Sequence, residues 1–233
     1  MFKSTKVVIV YVFPNGGKGG FMEKAEKFIQ TYHQFPPGMA HETAVVCNGS
    51  PVSAREMEIF APLSPVTFLN HDNTGWDIGG FQAAAKTIDC DMMVFFGAHT
   101  YFRRSGWLAR MHQIFQQLGP NLYGCTGNQG HLAVGVHPHV RTTAFWCPPS
   151  WMNEYPHSIK TMGGGGSRYE FEHGASCFTN WIKSRGLMPG IVGWDCVYPV
   201  DGCDAMTNGF HRGDQSNVLV GDRMTCPPYF AHP

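Results

Sequence analysis

Charge is scarce in this sequence. Asp, Glu, Lys and Arg make up 15% of its 233 residues, against about 25% in an ordinary soluble domain. The seventeen basic and seventeen acidic residues cancel, which argues against nucleic acid or an anionic membrane as partner. Long apolar runs are also lacking: nothing approaches the roughly 18 residues that a membrane span needs. The start of the chain has Lys3 and Lys6 and then seven apolar residues, 7–13, with no small-residue cleavage site after them. That pattern reads as a first strand and not as a signal peptide. Cysteine is present but unpatterned. The eight cysteines at 47, 90, 125, 147, 177, 196, 203 and 226 form no CxxC pair and no zinc-knuckle spacing. Several sit inside apolar runs, so reduced, buried thiols and a cytoplasmic location are expected.

What is plentiful is Gly (28), Pro (16), His (12) and aromatic side chains (13%), a composition suited to a compact domain with long ordered loops. The alternation of elements predicts a doubly wound α/β sheet. Residues 7–13 read as a strand buried on both faces. Residues 21–32 form an amphipathic helix through Phe21, Ala25, Phe28, Ile29 and Tyr32, and residues 43–47 a second strand closed by Asn48-Gly49-Ser50. Residues 66–69 and 92–96 are strands flanking a helix whose apolar face is Ile78, Phe81, Ala85 and Ile88, a parallel crossover unit. Residues 105–118 form the clearest helix, with Trp107, Leu108, Met111, Ile114, Phe115 and Leu118 in one core stripe, Ser105 as N-cap and Gly119-Pro120 as stop. Strands are expected over 122–125, 141–146 and 191–194. A last helix carries Ala175, Phe178, Trp181 and Ile182, with Gly186 following its end. No repeat or linker divides the chain. The expectation is one domain, with residues 6–118 as its nucleotide-binding half and 119–233 as its acceptor half.

Polar and glycine residues collect where strands end and helices begin. Asn70 to Gly80 follow the strand at 66–69, and Gly97-Ala98-His99-Thr100 follow the strand at 92–96. In an open parallel sheet, ligands sit outside the carboxyl ends of the strands, so this edge is the expected binding site. Pro14 to Gly20 resembles a phosphate loop only superficially, because Lys18 is followed by Gly19 and not by Ser or Thr. Trp76, Trp107, Trp146 and Trp151 suit packing better than ligand stacking.

The motifs CNGS, NxGxDIGGFQ, FFGAHTYFRRSGWL, LYGCTG, HVRTTAFW and EFEHGAS together resemble nucleotide-sugar glycosyltransferases of the GT-A fold, in particular the group related to rhamnan-synthesis protein F. The resemblance spans residues 6–220 and is most specific over 70–108. It implies transfer of a sugar from a UDP-, GDP- or dTDP-linked donor to a glycan or lipid-linked hydroxyl acceptor, as in polysaccharide biosynthesis. The implied donor site comprises Phe13, Pro14, Asn48, Asn73, Gly75, Asp77 and Gly80, with Gly97, Ala98, His99 and Arg141 beside the phosphates. Asp77 near a helix start suits a ribose or base acceptor, or alternatively a helix cap.

The chain departs from the family where Asp-x-Asp would hold a divalent cation: that place reads Gly97-Ala98-His99. Asp89-Cys90-Asp91 precedes the strand, on the opposite edge. Two alternatives remain open. Mn2+ or Mg2+ is bound by an incomplete set including His99 and His211, or the diphosphate is neutralised by Arg103, Arg104 or Arg141. An inverting reaction needs a base. Glu172 is the first candidate and Glu170 the second; if residues 169–171 are extended, the two share a face. A non-catalytic sugar-nucleotide binder is the rival reading.

Overall fold

A computed structural model of the chain describes residues 5–15, 21–63, 65–157, 159, 166–201 and 215–223. The first strand, β1 (Val7–Pro14), is buried along nearly its whole length, as its unbroken apolar run requires. Alternate side chains serve different layers. Val7, Ile9, Tyr11 and Phe13 face one core cluster, while Val8, Val10 and Val12 face the other.

Around β1 the chain winds outward and then returns. Helix α1 (Phe21–Gln34) leads to β2 (Glu42–Asn48); α2 (Ala54–Phe60) leads to β3 (Val66–His71); α3 (Trp76–Thr87) crosses back to β4 (Met92–Phe96). Strands β3, β2, β1 and β4 are all parallel, with β4 against β1 on the side away from β2. The crossover therefore passes over two strands, and the strand order reverses between β1 and β4. Their carboxyl ends diverge there, which leaves a crevice at that edge.

The chain continues through β5 (Tyr101–Phe102), α4 (Trp107–Leu118), β6 (Tyr123–Gly124), β7 (Gly127–Asn128), β8 (His139–Val140), β9 (Ala144–Cys147), α5 (Pro149–Glu154), α6 (Gly166–His173) and α7 (Phe178–Ser184). It ends in β10 (Gly190–Val192), β11 (Val197–Pro199) and β12 (Val220–Gly221). The main sheet has eight strands in the order β11-β10-β6-β9-β4-β1-β2-β3, with β9 antiparallel to both its neighbours. Strands from both halves of the sequence thus share one sheet. Residues of α1, α2 and α4 pack in the first core cluster and residues of α3, α5, α6 and α7 in the second. Phe81 of α3 meets Phe95 and Phe145 at ring-centroid distances of 5.2 and 5.6 Å, and each such buried ring contributes about 1.5–3 kcal/mol.

Several local expectations are corrected. Helix α2 was not anticipated, although its signal is present. Ser53 accepts from the Glu56 backbone N–H, and the Glu56 carboxylate accepts from the Ser53 N–H, a complete capping box. Helix α4 starts after Gly106 at φ +83, not on a Ser105 cap. The Gly106 N–H donates to Pro36 O, and a Cβ on Gly38 would lie 2.9 Å from the Gly106 Cα. That close approach of two loops sets the start. Leu118, expected in the stripe, is exposed. The strand expected at 141–146 is β9 at Ala144–Cys147.

The stretch from Tyr169 to Phe171 is helical within α6, not extended. At about 3.6 residues per turn, Glu170 and Glu172 point in different directions. Burying Phe171 against Tyr155 and Phe178 favours the helical arrangement.

Candidate functional site

The crevice at the reversal point encloses about 670 Å³, a volume typical of small-molecule sites. Among the described residues its lining comes from four segments, the end of β1 (Val12, Pro14, Asn15), the end of β2 and the turn after it (Asn48, Gly49, Ser50), the β3–α3 turn (Asp72, Asn73, Trp76, Asp77) and the turn after β4 (Gly97, Ala98, His99), with Phe21, Thr143, Arg168 and Arg223 around the rim.

Asn48 organises one wall. It is only 2% exposed. Its amide donates to Asn73 Oδ1 at 2.8 Å and to the Trp76 carbonyl at 2.9 Å. With both hydrogens used, Asn48 Oδ1 accepts from His71 Nδ1 at 2.7 Å, which places the neutral ring's proton on Nδ1. Burial lowers the proton affinity of His71, only partly offset by Asp72. The turn that Asn48 holds is strained: Asn73, Gly75 and Trp76 have φ of 68°, 81° and 54°. A left-handed Trp is costly by about 1–3 kcal/mol, yet this one leaves its indole 48% exposed on the crevice. Gly79 is required just below, because a Cβ there would lie 1.8 Å from the Thr74 carbonyl.

The neighbouring wall is tied down from β1 and from the chain before β9. Tyr11 donates its hydroxyl to Ala98 O at 3.0 Å. Gly97 N–H and Thr100 Oγ1 both donate to Thr143 O, at 2.9 and 3.0 Å. His99 sits edge-on to Phe21. Its proton affinity is lowered by burial and by the charges of Arg223 and Lys24, and raised by Asp222.

The far rim belongs to α6. Arg168 Nε donates to Asp77 Oδ1 at 3.0 Å, and the guanidinium lies 5.1 Å over the Trp76 ring. Asp77 Oδ1 also accepts from the Ile78 N–H. Burial raises the Asp77 carboxyl, Arg168 lowers it and the charge of Glu172 raises it further. Glu172 accepts from Thr142 Oγ1 at 2.9 Å and lies 3.9 Å from His173 Nδ1. It is not in the lining; it is bonded to Thr142, the neighbour of the lining residue Thr143. Glu170 faces elsewhere: it accepts from the Ser176 N–H at 2.6 Å and closes the α6–α7 turn.

Of the expected donor-site residues, Pro14, Asn48, Asn73, Asp77, Gly97, Ala98 and His99 line the crevice together. Phe13 does not: it packs edge-on to Phe60 in the core. Gly80 packs α3 against Val12 and Val46. Gly75 shapes the turn without entering the lining, and the Arg141 N–H donates to Thr126 O outside it. Arg103 donates to Gln215 O and Arg104 covers Trp194, so among the described residues the arginines of the lining are Arg168 and Arg223 instead. Arg168 stands two residues before Glu170, at the edge of the EFEHGAS motif. Arg223 and Asn15 carried no signal beyond their neighbours. Asp91 accepts from the Lys6 N–H at the start of β1, on the opposite edge as expected. Lys18 and His211 lie outside the described residues.

A divalent cation needs converging donors. Among the described residues no three His, Cys, Asp or Glu side chains converge, and Arg223 and Lys24 place positive charge on His99. The described residues therefore do not form a metal cage.

No protein-family model matches the chain, and no curated protein matches it. Solved structures do. A mannosyltransferase from Pyrobaculum calidifontis, in complex with GDP-Man and Mn2+, superposes with a TM-score of 0.55 at 12% identity, covering 79% of this chain and 54% of that one. TarS residues 1–349 from S. aureus give 0.44 at 11% identity, covering 64% and 48%. HddC from Yersinia pseudotuberculosis gives 0.46 at 12%, covering 64% and 80%. The chain spans about half the length of the first two. The fold, a mostly parallel sheet flanked by helices, is GT-A-like.

Proposed function

We propose that the crevice binds a nucleotide sugar and that the chain transfers its glycosyl group to a hydroxyl acceptor. One observation carries this reading. A single crevice at the strand-order reversal joins a wall of fixed amide and carbonyl groups to a rim bearing two guanidiniums, on the fold of a mannosyltransferase that binds GDP-Man. The rigid wall of Pro14, Asn15, Asn48 and Ser50, its amides locked on one another and on the β3–α3 turn, suits the shape of a base and ribose. Arg168 and Arg223 suit the diphosphate, and guanidinium pairing with phosphoryl oxygens stabilises charge that develops on the leaving group.

In this reading Glu172 is the base. Thr142 fixes one of its oxygens, and it takes the acceptor proton as the glycosyl carbon is attacked, with inversion. Glu170, engaged by the Ser176 N–H, is left a structural role. His99 and Asp222 do not complete a cation site with the described residues, so no step is assigned to Mn2+ or Mg2+. The acceptor class is a glycan or lipid-linked hydroxyl, and the work is done in the cytoplasm as part of polysaccharide assembly. Among the described residues no helix is long and apolar enough to cross a membrane.

A second reading, a non-catalytic binder of nucleotide sugars, is favoured by Gly97-Ala98-His99 in the place of Asp-x-Asp and by Glu172 standing outside the crevice lining. A panel of UDP-, GDP- and dTDP-sugars, with and without Mn2+, decides. Thermal stabilisation by one donor together with its turnover supports transfer. Stabilisation without turnover supports the binder, and no stabilisation by any donor ends both.

A further inference from the structure

Arg168 has two sets of partners available. In the structure its guanidinium closes on Asp77 and lies over the Trp76 ring. The same side chain also lines the crevice, and it is about one third exposed. Four residues along α6, Glu172 lies on the same helix face, and its charge acts on Asp77. One guanidinium thus pairs with Asp77 and faces a cavity large enough for a phosphorylated ligand.

The geometry points to Arg168 as a latch: it is held on Asp77 while the crevice is empty, and moves to the phosphoryl oxygens of an anionic ligand when one enters. This rests on the reading of the crevice as a nucleotide-diphosphate site. Two consequences follow from charge alone. Asp77 competes with the ligand for Arg168, so it opposes binding. When Arg168 leaves, Asp77 loses its counter-charge just as a phosphate anion arrives, so this carboxyl, already raised by burial, draws a proton from bulk water.

Other groups facing the two carboxylates do not supply the missing charge. Asp77 is faced by Arg168 and Glu172 from α6 and by the Ile78 N–H at its own helix start. Glu172 is faced by Thr142, by His173 on α6 and by His139 on β8. Burial is the largest influence on both histidines and disfavours their cationic forms; Arg141 adds to this at His139 and Arg168 at His173, against the opposing pull of Glu172.

The test is calorimetric titration of the whole chain with UDP, GDP, dTDP and, as a base-free probe, pyrophosphate. Each titration is run near pH 6 in two buffers of different ionisation enthalpy. The wild type is expected to take up about half a proton per ligand bound. Asp77→Asn keeps an acceptor for the Ile78 N–H but loses the competing charge. It is expected to bind the ligand about fivefold tighter, the equivalent of one partly exposed ion pair, with the uptake abolished. Arg168→Gln is expected to bind roughly tenfold weaker, and Arg168→Lys to recover part of the loss.

Melting curves confirm that each variant is folded. Unchanged or weaker binding by folded Asp77→Asn overturns the latch, whatever the proton count. Binding of pyrophosphate but of no nucleoside diphosphate overturns the nucleotide reading, and the latch is then judged on the pyrophosphate titrations alone.

Discussion

The side-chain amide of Asn48 donates to Asn73 Oδ1 at 2.8 Å, across 25 positions of sequence. A residue at the end of β2 thereby holds the strained turn that opens α3. The same amide group also serves the Trp76 carbonyl and His71, so three partners depend on one buried side chain. Asn48→Ala is expected to cost about 2–3 kcal/mol, because it leaves buried polar groups unpaired. That is a fall of roughly 4–12 °C in melting temperature, together with loss of ligand binding. A melting temperature within a degree of wild type would show that water replaces the amide without penalty.

Adjacent glycines of α3 should respond differently to the same substitution. A Cβ on Gly79 would lie 1.8 Å from the Thr74 carbonyl, whereas one on Gly80 would lie 3.2 Å from a Val12 methyl. Gly79→Ala must move backbone and is expected to destabilise by at least about 2 kcal/mol. Gly80→Ala meets only side chains and gains up to about 1 kcal/mol of helix propensity, so its net effect should stay within about 1 kcal/mol of zero. Denaturant midpoints of the two variants measure the contrast, and equal midpoints would contradict the packing described.

Glu172→Gln keeps an oxygen for the Thr142 hydroxyl and removes the basic site. Under the proposed transfer reaction it is expected to lower turnover at least about 100-fold while the donor dissociation constant changes less than about threefold. Thr142→Val, which removes the hydroxyl that positions Glu172, is expected to lower turnover less. Full activity in Glu172→Gln would leave the base unassigned.

Acid should destabilise the fold before any carboxylate is involved. Burial is the leading cause that lowers the proton affinity of His41, His71, His99, His139 and His173 in the folded state. The unfolded chain then binds more protons once the pH falls below the ordinary histidine value of about 6.5, so stability drops with falling pH. The raised Asp77 carboxyl acts in the opposite sense, but it is one group against five. Melting temperature is expected to fall between pH 7 and pH 5, and a flat profile would mean that these rings protonate without cost.

The layered architecture was legible in the sequence because burial imposes a period. The run at residues 7–13 had to be a central strand, and the Trp107 to Phe115 stripe had to be core. The clustering of polar and glycine residues after two of the strands also located the binding edge. Local geometry was less legible. Phe171 could be buried from a strand or from a helix, and tertiary contact with Tyr155 and Phe178 decided for the helix, which separated Glu170 from Glu172.

The sequence by itself determined which segments are buried and at which edge of the sheet the polar turns collect, because hydrophobic spacing and chain reversals are local properties. Only the tertiary structure decided which charges meet there. Arg168 and Asp77 lie 91 positions apart, and Arg223 approaches His99 only because β12 pairs with β5. Such encounters depend on how distant segments pack, and no spacing rule along the chain encodes them.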